Sequence, residues 1–287
     1  MSVATPDSAS VAVAIPPPAH RRIAYRTRGS QHGPIIRLAS PGELGKLIKP
    51  FVFLDYIDVA AGAPLSFGFH PHSGIATLTL MLDGGFSYED STGASGTMNK
   101  GSVEWMQAGG GVWHGGSSIG DRINGYQLWI ALPKALENAP SLSRYLGPEH
   151  FARKGPARVV LGTLGDVSSP IDAPSQINYL DVQLKAGEVW RYQPPLGHDV
   201  AWIAVHQGSV TMPERVSAGE LAVFAESELP ITFMADGDAA FVLGSAVKHP
   251  HDLVLGNYSV HTNPEALKEG QNGIRRIAND LRSAGKM

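Results

Sequence analysis

His70 and His72 stand two residues apart in Phe67-Gly68-Phe69-His70-Pro71-His72, and on an extended strand, where side chains alternate, both imidazoles point to one face. A third histidine, His114, follows the run Gly109-Gly110-Gly111. Turn signals at Ser91-Thr92-Gly93 and Asn99-Lys100-Gly101 lie between, and they return the chain so that His114 can approach the same face. Single histidines are usually surface or core residues, but this pair and its partner make a more demanding pattern. Three neutral imidazole nitrogens converging inside a small β-barrel would hold a divalent transition metal at about 2.0 to 2.2 Å and leave other positions open. No carboxylate accompanies them at the usual offset.

These histidines need strands to carry them. Ile75 to Leu82 is β-branched and apolar on both faces, as a buried strand of a double-sheet jelly roll should be. Trp105, Met106 and Trp113 are expected in the core. Glu104, on the strand leading toward the glycines, could supply a carboxylate only if it points inward; the usual exposure of glutamate sets it toward solvent. The three glycines are not a phosphate loop, since neither Lys-Ser/Thr nor a helix pattern follows; they allow close backbone approach beside the site.

A proline-bounded connection from Pro133 to Pro140 marks a boundary. Strand-and-turn texture then repeats over 158–164, 178–184, 187–192, 199–205, 209–212, 221–224, 231–234 and 239–243. This half holds His198 and His206 but no H-x-H in a strand, so no metal is expected there. His249-Pro250-His251 follows the last strand, is interrupted by proline and is read as structural. From Asn263, a capping residue, and Pro264 a helix begins, broken at Gly273 and resumed over Ile274–Leu281.

The composition narrows the function classes. The chain has 287 residues, 33 glycines, 21 prolines and a net charge of -3 with no basic cluster, so direct nucleic-acid binding is not expected. Zero cysteines exclude disulfides and thiolate ligands and fit a reducing cytoplasm. No apolar run reaches the roughly 18 residues of a membrane span.

The runs Pro50–Val59, Phe69–Gly93, Met98–His114 and Tyr126–Pro133, with HPHDLVLGNYSVHTNPEALKEGQNGI at the far end, resemble the pirin family. The resemblance implies an all-β bicupin: two cupin-type antiparallel β-barrels with a short C-terminal helix. The expected parts are a flexible arm over 1–22, a metal-site barrel over 23–134, a degenerate barrel over 135–247 and an extension over 248–287. It also implies one iron in the first barrel, held by three histidines that map onto His70, His72 and His114, and by a glutamate. The family pattern H-x-E stands here as His114-Gly115-Gly116, and a second acidic position is Ala76. The implied activity is quercetin 2,3-dioxygenase-type oxidation of a flavonol-like substrate. The alternative is a non-enzymatic regulator that binds a transcription factor or a metabolic enzyme, possible without metal. On this reading, restoring glutamate at position 116 raises metal occupancy.

Overall fold

The computed structural model describes residues 20–59 and 65–287, so the arm expected over 1–22 lies mostly outside the described residues. Its last residues are fixed: Arg21 is buried, and its guanidinium donates to the carbonyls of Ala225 and Asp199.

The strands form two main antiparallel sheets, one in each half. In the first sheet the spatial order is Leu142–Leu146, Val103–Gln107, Ile75–Asp90, Val112–Ala131, Phe51–Val59, Ile35–Ala39 and Ser30–His32. Ser66–His72 pairs with Val112–Ala131, and Ser95–Asn99 with Ile75–Asp90. Both predicted turns fall where the chain reverses around Ser95–Asn99.

In the second sheet the order is Ile23–Thr27, Leu221–Phe224, Val200–Gln207, Ala239–Ala246, Ile177–Leu184, Ala157–Leu161 and Arg153–Lys154. A four-stranded sheet over Val189–Tyr192, Ile231–Ala235, Ser209–Thr211 and Arg215–Ser217 faces it. Ile23–Thr27, read from sequence as the start of the first barrel, pairs instead with Leu221–Phe224 of the second.

Alternation along Ile75–Asp90 explains why its sequence is apolar on both faces. Ala76, Leu78 and Leu80 enter a core shared by the two halves, with Trp105, Tyr126, Leu128, Tyr179, Trp202 and Val242. Thr79 and Met81 point the other way, into a pocket of the first barrel. Phe51 meets Trp202 edge-on at 5.3 Å across the shared core. Trp105 and Met106 are buried as expected.

The C-terminal helix runs unbroken over Pro264–Ser283, correcting the expected break at Gly273. Asn263 caps it, accepting from the Ala266 amide at 2.8 Å. Gly273 continues the helix because it is a packing position: a Cβ there would overlap the carbonyl oxygen of Gly110. The glycine run and the helix glycine thus allow one close backbone crossing, which Trp113 secures by donating from Nε1 to the Ile274 carbonyl at 2.9 Å. Alanine is intrinsically the better helix former, yet Gly273→Ala is expected to lower the melting temperature by several degrees, since overpacking costs about 1–3 kcal/mol. A raised melting temperature would show that the helix can lift off Gly110 freely. Among the described residues no helix is long and apolar enough to cross a membrane.

Candidate metal centre

Strand register brings the three histidines together. His70 lies directly opposite His114 in the pairing of Ser66–His72 with Val112–Ala131, and His72 shares the face of His70. One nitrogen from each of His70, His72 and His114 can be chosen so that all lie within 4.8 Å of one another. His72 Nε2 and His114 Nε2 are 3.2 Å apart.

Each outer nitrogen is held by an acceptor. His70 Nδ1 is 2.8 Å from the Gly68 carbonyl, His72 Nδ1 3.1 Å from the Tyr258 carbonyl, and His114 Nδ1 3.3 Å from Glu104 Oε1. These acceptors assign the proton to Nδ1 in every ring and leave the Nε2 lone pairs facing inward. Two lone pairs at 3.2 Å repel unless a proton or a cation lies between them. Burial, followed by the neighbouring imidazoles, pushes both His72 and His70 down, His70 to about 4. The donor set therefore fits a divalent transition metal.

The sequence reading weighed Glu104 as a carboxylate for the site and set it toward solvent; the structure turns it inward. It is buried and lines the pocket. The signal was available: Trp105 fills the shared core, so alternation turns Glu104 into the barrel. Its carboxylate accepts from Thr79 Oγ1 and, at 3.3 Å, from the Tyr145 hydroxyl. Burial alone would raise its pKa, but His114, with Thr79 and Tyr145, more than offsets this and holds it below the usual value. Burial and the two nearby carboxylates raise Tyr145, so it stays a phenol whose one hydrogen is shared between Glu104 and the nearer Asp90 at 2.9 Å. A negative charge thus stands behind His114, on the side away from Nε2.

The two family positions that lack an acid differ in consequence. Ala76 belongs to the shared core and faces away from the histidines. At Gly116 a Cβ would overlap the Ser87 carbonyl oxygen and lie 2.5 Å from Phe86 Cε1. The backbone has closed over the place where the expected glutamate would start, so restoring it is not expected to raise metal occupancy; this corrects the sequence expectation.

The C-terminal extension completes the site, which no spacing in the sequence indicates. A hairpin of Val254–Gly256 and Ser259–His261 presents the Tyr258 carbonyl to His72. Tyr258 has φ 56, a conformation costing about 1 kcal/mol or more in a non-glycine residue. Ser73 Oγ donates to Ser259 Oγ at 2.9 Å and lies 3.0 Å from His261 Nε2, while His261 Nδ1 is 3.4 Å from Glu137. This Ser-His-Glu file is sealed beneath the helix, where a Cβ on Gly270 would lie 2.6 Å from both Ser73 Oγ and His261 Nε2. It is a structural clamp on the strand carrying His72.

The remaining histidines lie elsewhere. His198 Nδ1 is 2.9 Å from Ser245 Oγ, His206 packs edge-on against Tyr126, and His249 faces His251 at 5.6 Å between ring centroids. Burial lowers His198, His206 and His249 to about 4. The unfolded chain, with ordinary values near 6.5, binds more protons between those limits. Their stabilising contribution is fully present above pH 6.5 and is lost as pH falls towards 4. Melting temperature is therefore expected to fall over that interval; a flat profile would contradict the burial of neutral histidines.

The pocket above the histidines has a cavity volume of about 410 Å³. Its walls include Ile57, Phe67, Met81, Phe86, Met98 and Trp129. A three-histidine cluster inside the first of two such antiparallel halves defines the molecule as a bicupin. The Pirin family model matches residues 36–130. A candidate quercetin 2,3-dioxygenase from Pseudomonas aeruginosa is 30% identical over 260 residues, covering 84% of this chain and 91% of the relative. A pirin-like protein from Caulobacter vibrioides is 30% identical over 222 residues, covering 71% of this chain and 76% of the relative. The chain belongs to the pirin family. Among solved structures, a quercetin 2,3-dioxygenase from Acinetobacter baumannii superposes with a TM-score of 0.82 at 23% identity, covering 90% of this chain and 98% of that one. The Escherichia coli pirin YhhW, solved with nickel(II), gives 0.65 at 22% identity, covering 80% and 99%. Both show the same fold.

Proposed function

We propose that this pirin-family protein holds one divalent transition metal through Nε2 of His70, His72 and His114, iron being the reading that follows from the family, and oxidises a flavonol-like substrate in the pocket above. The observation that carries it is the three outward-pinned imidazoles with their Nε2 atoms turned together. When bound, the metal would supply open coordination positions for an oxygen-rich substrate and dioxygen.

The chain's own residues do the rest. Glu104 holds the Nδ1 proton of His114 and strengthens Nε2 as a donor. The Tyr258 carbonyl orients His72 in the same way. Phe53, stacked on Trp129 at 4.1 Å, stiffens the pocket wall, and the apolar walls exclude water. The relatives named as quercetin 2,3-dioxygenases support the substrate class.

The test is anaerobic iron loading followed by addition of quercetin under air. Loss of the flavonol absorbance in wild type, and none in His72→Ala, is the expected result. No turnover by protein that retains iron would overturn the oxidation and favour the regulatory role.

A further inference from the structure

One residue from each of six adjacent strands forms a polar file across the pocket floor. Cross-strand register runs Arg37, Asp55, Gln127, Thr79, Glu104, Tyr145, each opposite the next. All but Tyr145 line the pocket. Glu104, at one end, is committed to His114. At the other end Arg37 donates from Nε and Nη2 to the two oxygens of Asp55 at 2.9 and 3.0 Å. Among the described residues its Nη1 has no acceptor, and its side chain is 34% exposed. Gln127 Nε2, midway along the file, is buried without a partner among the described residues.

A parallel aromatic column joins Arg37 to the histidines. The Arg37 guanidinium lies 4.3 Å from the Phe53 ring centre, Phe53 stacks on Trp129 at 4.1 Å and 13°, and Trp129 meets His72 edge-on at 4.9 Å. The pocket wall thus has imidazoles at one end and, at the other, a guanidinium edge whose Nη1 has no acceptor among the described residues.

We infer that the pocket takes a planar aromatic ligand whose end remote from the three histidines carries an anionic oxygen, a phenolate or carboxylate, received by Arg37. The apolar walls, Phe53 and Trp129 among them, take the aromatic body, and the unused Nη1 donors set polarity. Asp55 fixes the guanidinium and also neutralises its charge, so the preference rests on directed donors beside a partly exposed ion pair. The expected discrimination is accordingly modest, about fivefold. This assignment rests on the pocket being the substrate site, as proposed above.

The test compares 2-naphthoate with 2-naphthamide, an anion and its neutral analogue of the same shape, titrated calorimetrically into metal-free full-length protein. Wild type is expected to bind the carboxylate about fivefold tighter. The double variant Arg37→Met/Asp55→Asn leaves no unpaired buried charge; it should bind both compounds equally and the amide as wild type does. Binding of neither compound, equal binding by wild type, or an unchanged preference in the double variant would overturn the inference, the last placing the anion at the histidines. Quercetin consumption by the same iron-loaded preparations separates the two readings. Turnover without carboxylate preference sinks only this inference, whereas preference without turnover sinks only the oxidation.

Discussion

Gly116→Glu is expected to cost stability and to gain no metal. Its new Cβ would overlap the Ser87 carbonyl oxygen, and the ring of Phe86 blocks the way to the histidines. Overpacking of this kind costs about 1–3 kcal/mol, and a carboxylate buried without a partner adds to it. The sum is at least about 3 kcal/mol, or roughly 6 °C or more in melting temperature for a chain of this size. Melting and iron content of the purified variant, measured beside wild type, check both halves of the expectation. Higher iron occupancy with an unchanged melting temperature would show that the strand relaxes readily to admit a ligand at 116.

Glu104→Gln should have the opposite profile, with the fold kept and metal affinity lost. The amide preserves shape, and its NH2 can donate to Thr79 or Tyr145, while Tyr145 keeps Asp90 as an acceptor. What disappears is the negative charge hydrogen-bonded to His114 Nδ1. Such partners are typically worth about 10- to 100-fold in metal affinity. The effect belongs near the upper end here, because the first-sphere acid of the family pattern is absent and Glu104 is the carboxylate that touches the histidine cluster. Competition against a chromophoric chelator reads the affinity, and a melt of the metal-free protein confirms the fold. Unchanged affinity in the variant would mean that Glu104 only supports packing.

The histidines were legible in the sequence because strand alternation and turn spacing act locally: two residues apart means one face, and two turns return the chain. The second half was legible for the same reason, its strands lying where apolar runs alternate with turn residues. Glu104 was misplaced because a general preference of glutamate for water was allowed to outweigh the alternation set by Trp105. Tyr258 and Ser259 reach the site from 186 residues away, and no local pattern encodes that contact. The helix read as two pieces because glycine is a poor helix former, whereas Gly273 sits where two backbones cross. Likewise Ile23–Thr27 has the pattern of a strand, but pattern does not say which sheet edge it will join.

The central claim is that His70, His72 and His114 together form one metal site, and anaerobic calorimetric titration of Fe(II) into wild type and His72→Ala tests it most directly. The site predicts one ion bound per wild-type chain and binding weakened beyond detection in the variant, whose metal-free melt stays cooperative. Equal stoichiometry and affinity in the two proteins would place the metal elsewhere and contradict the account.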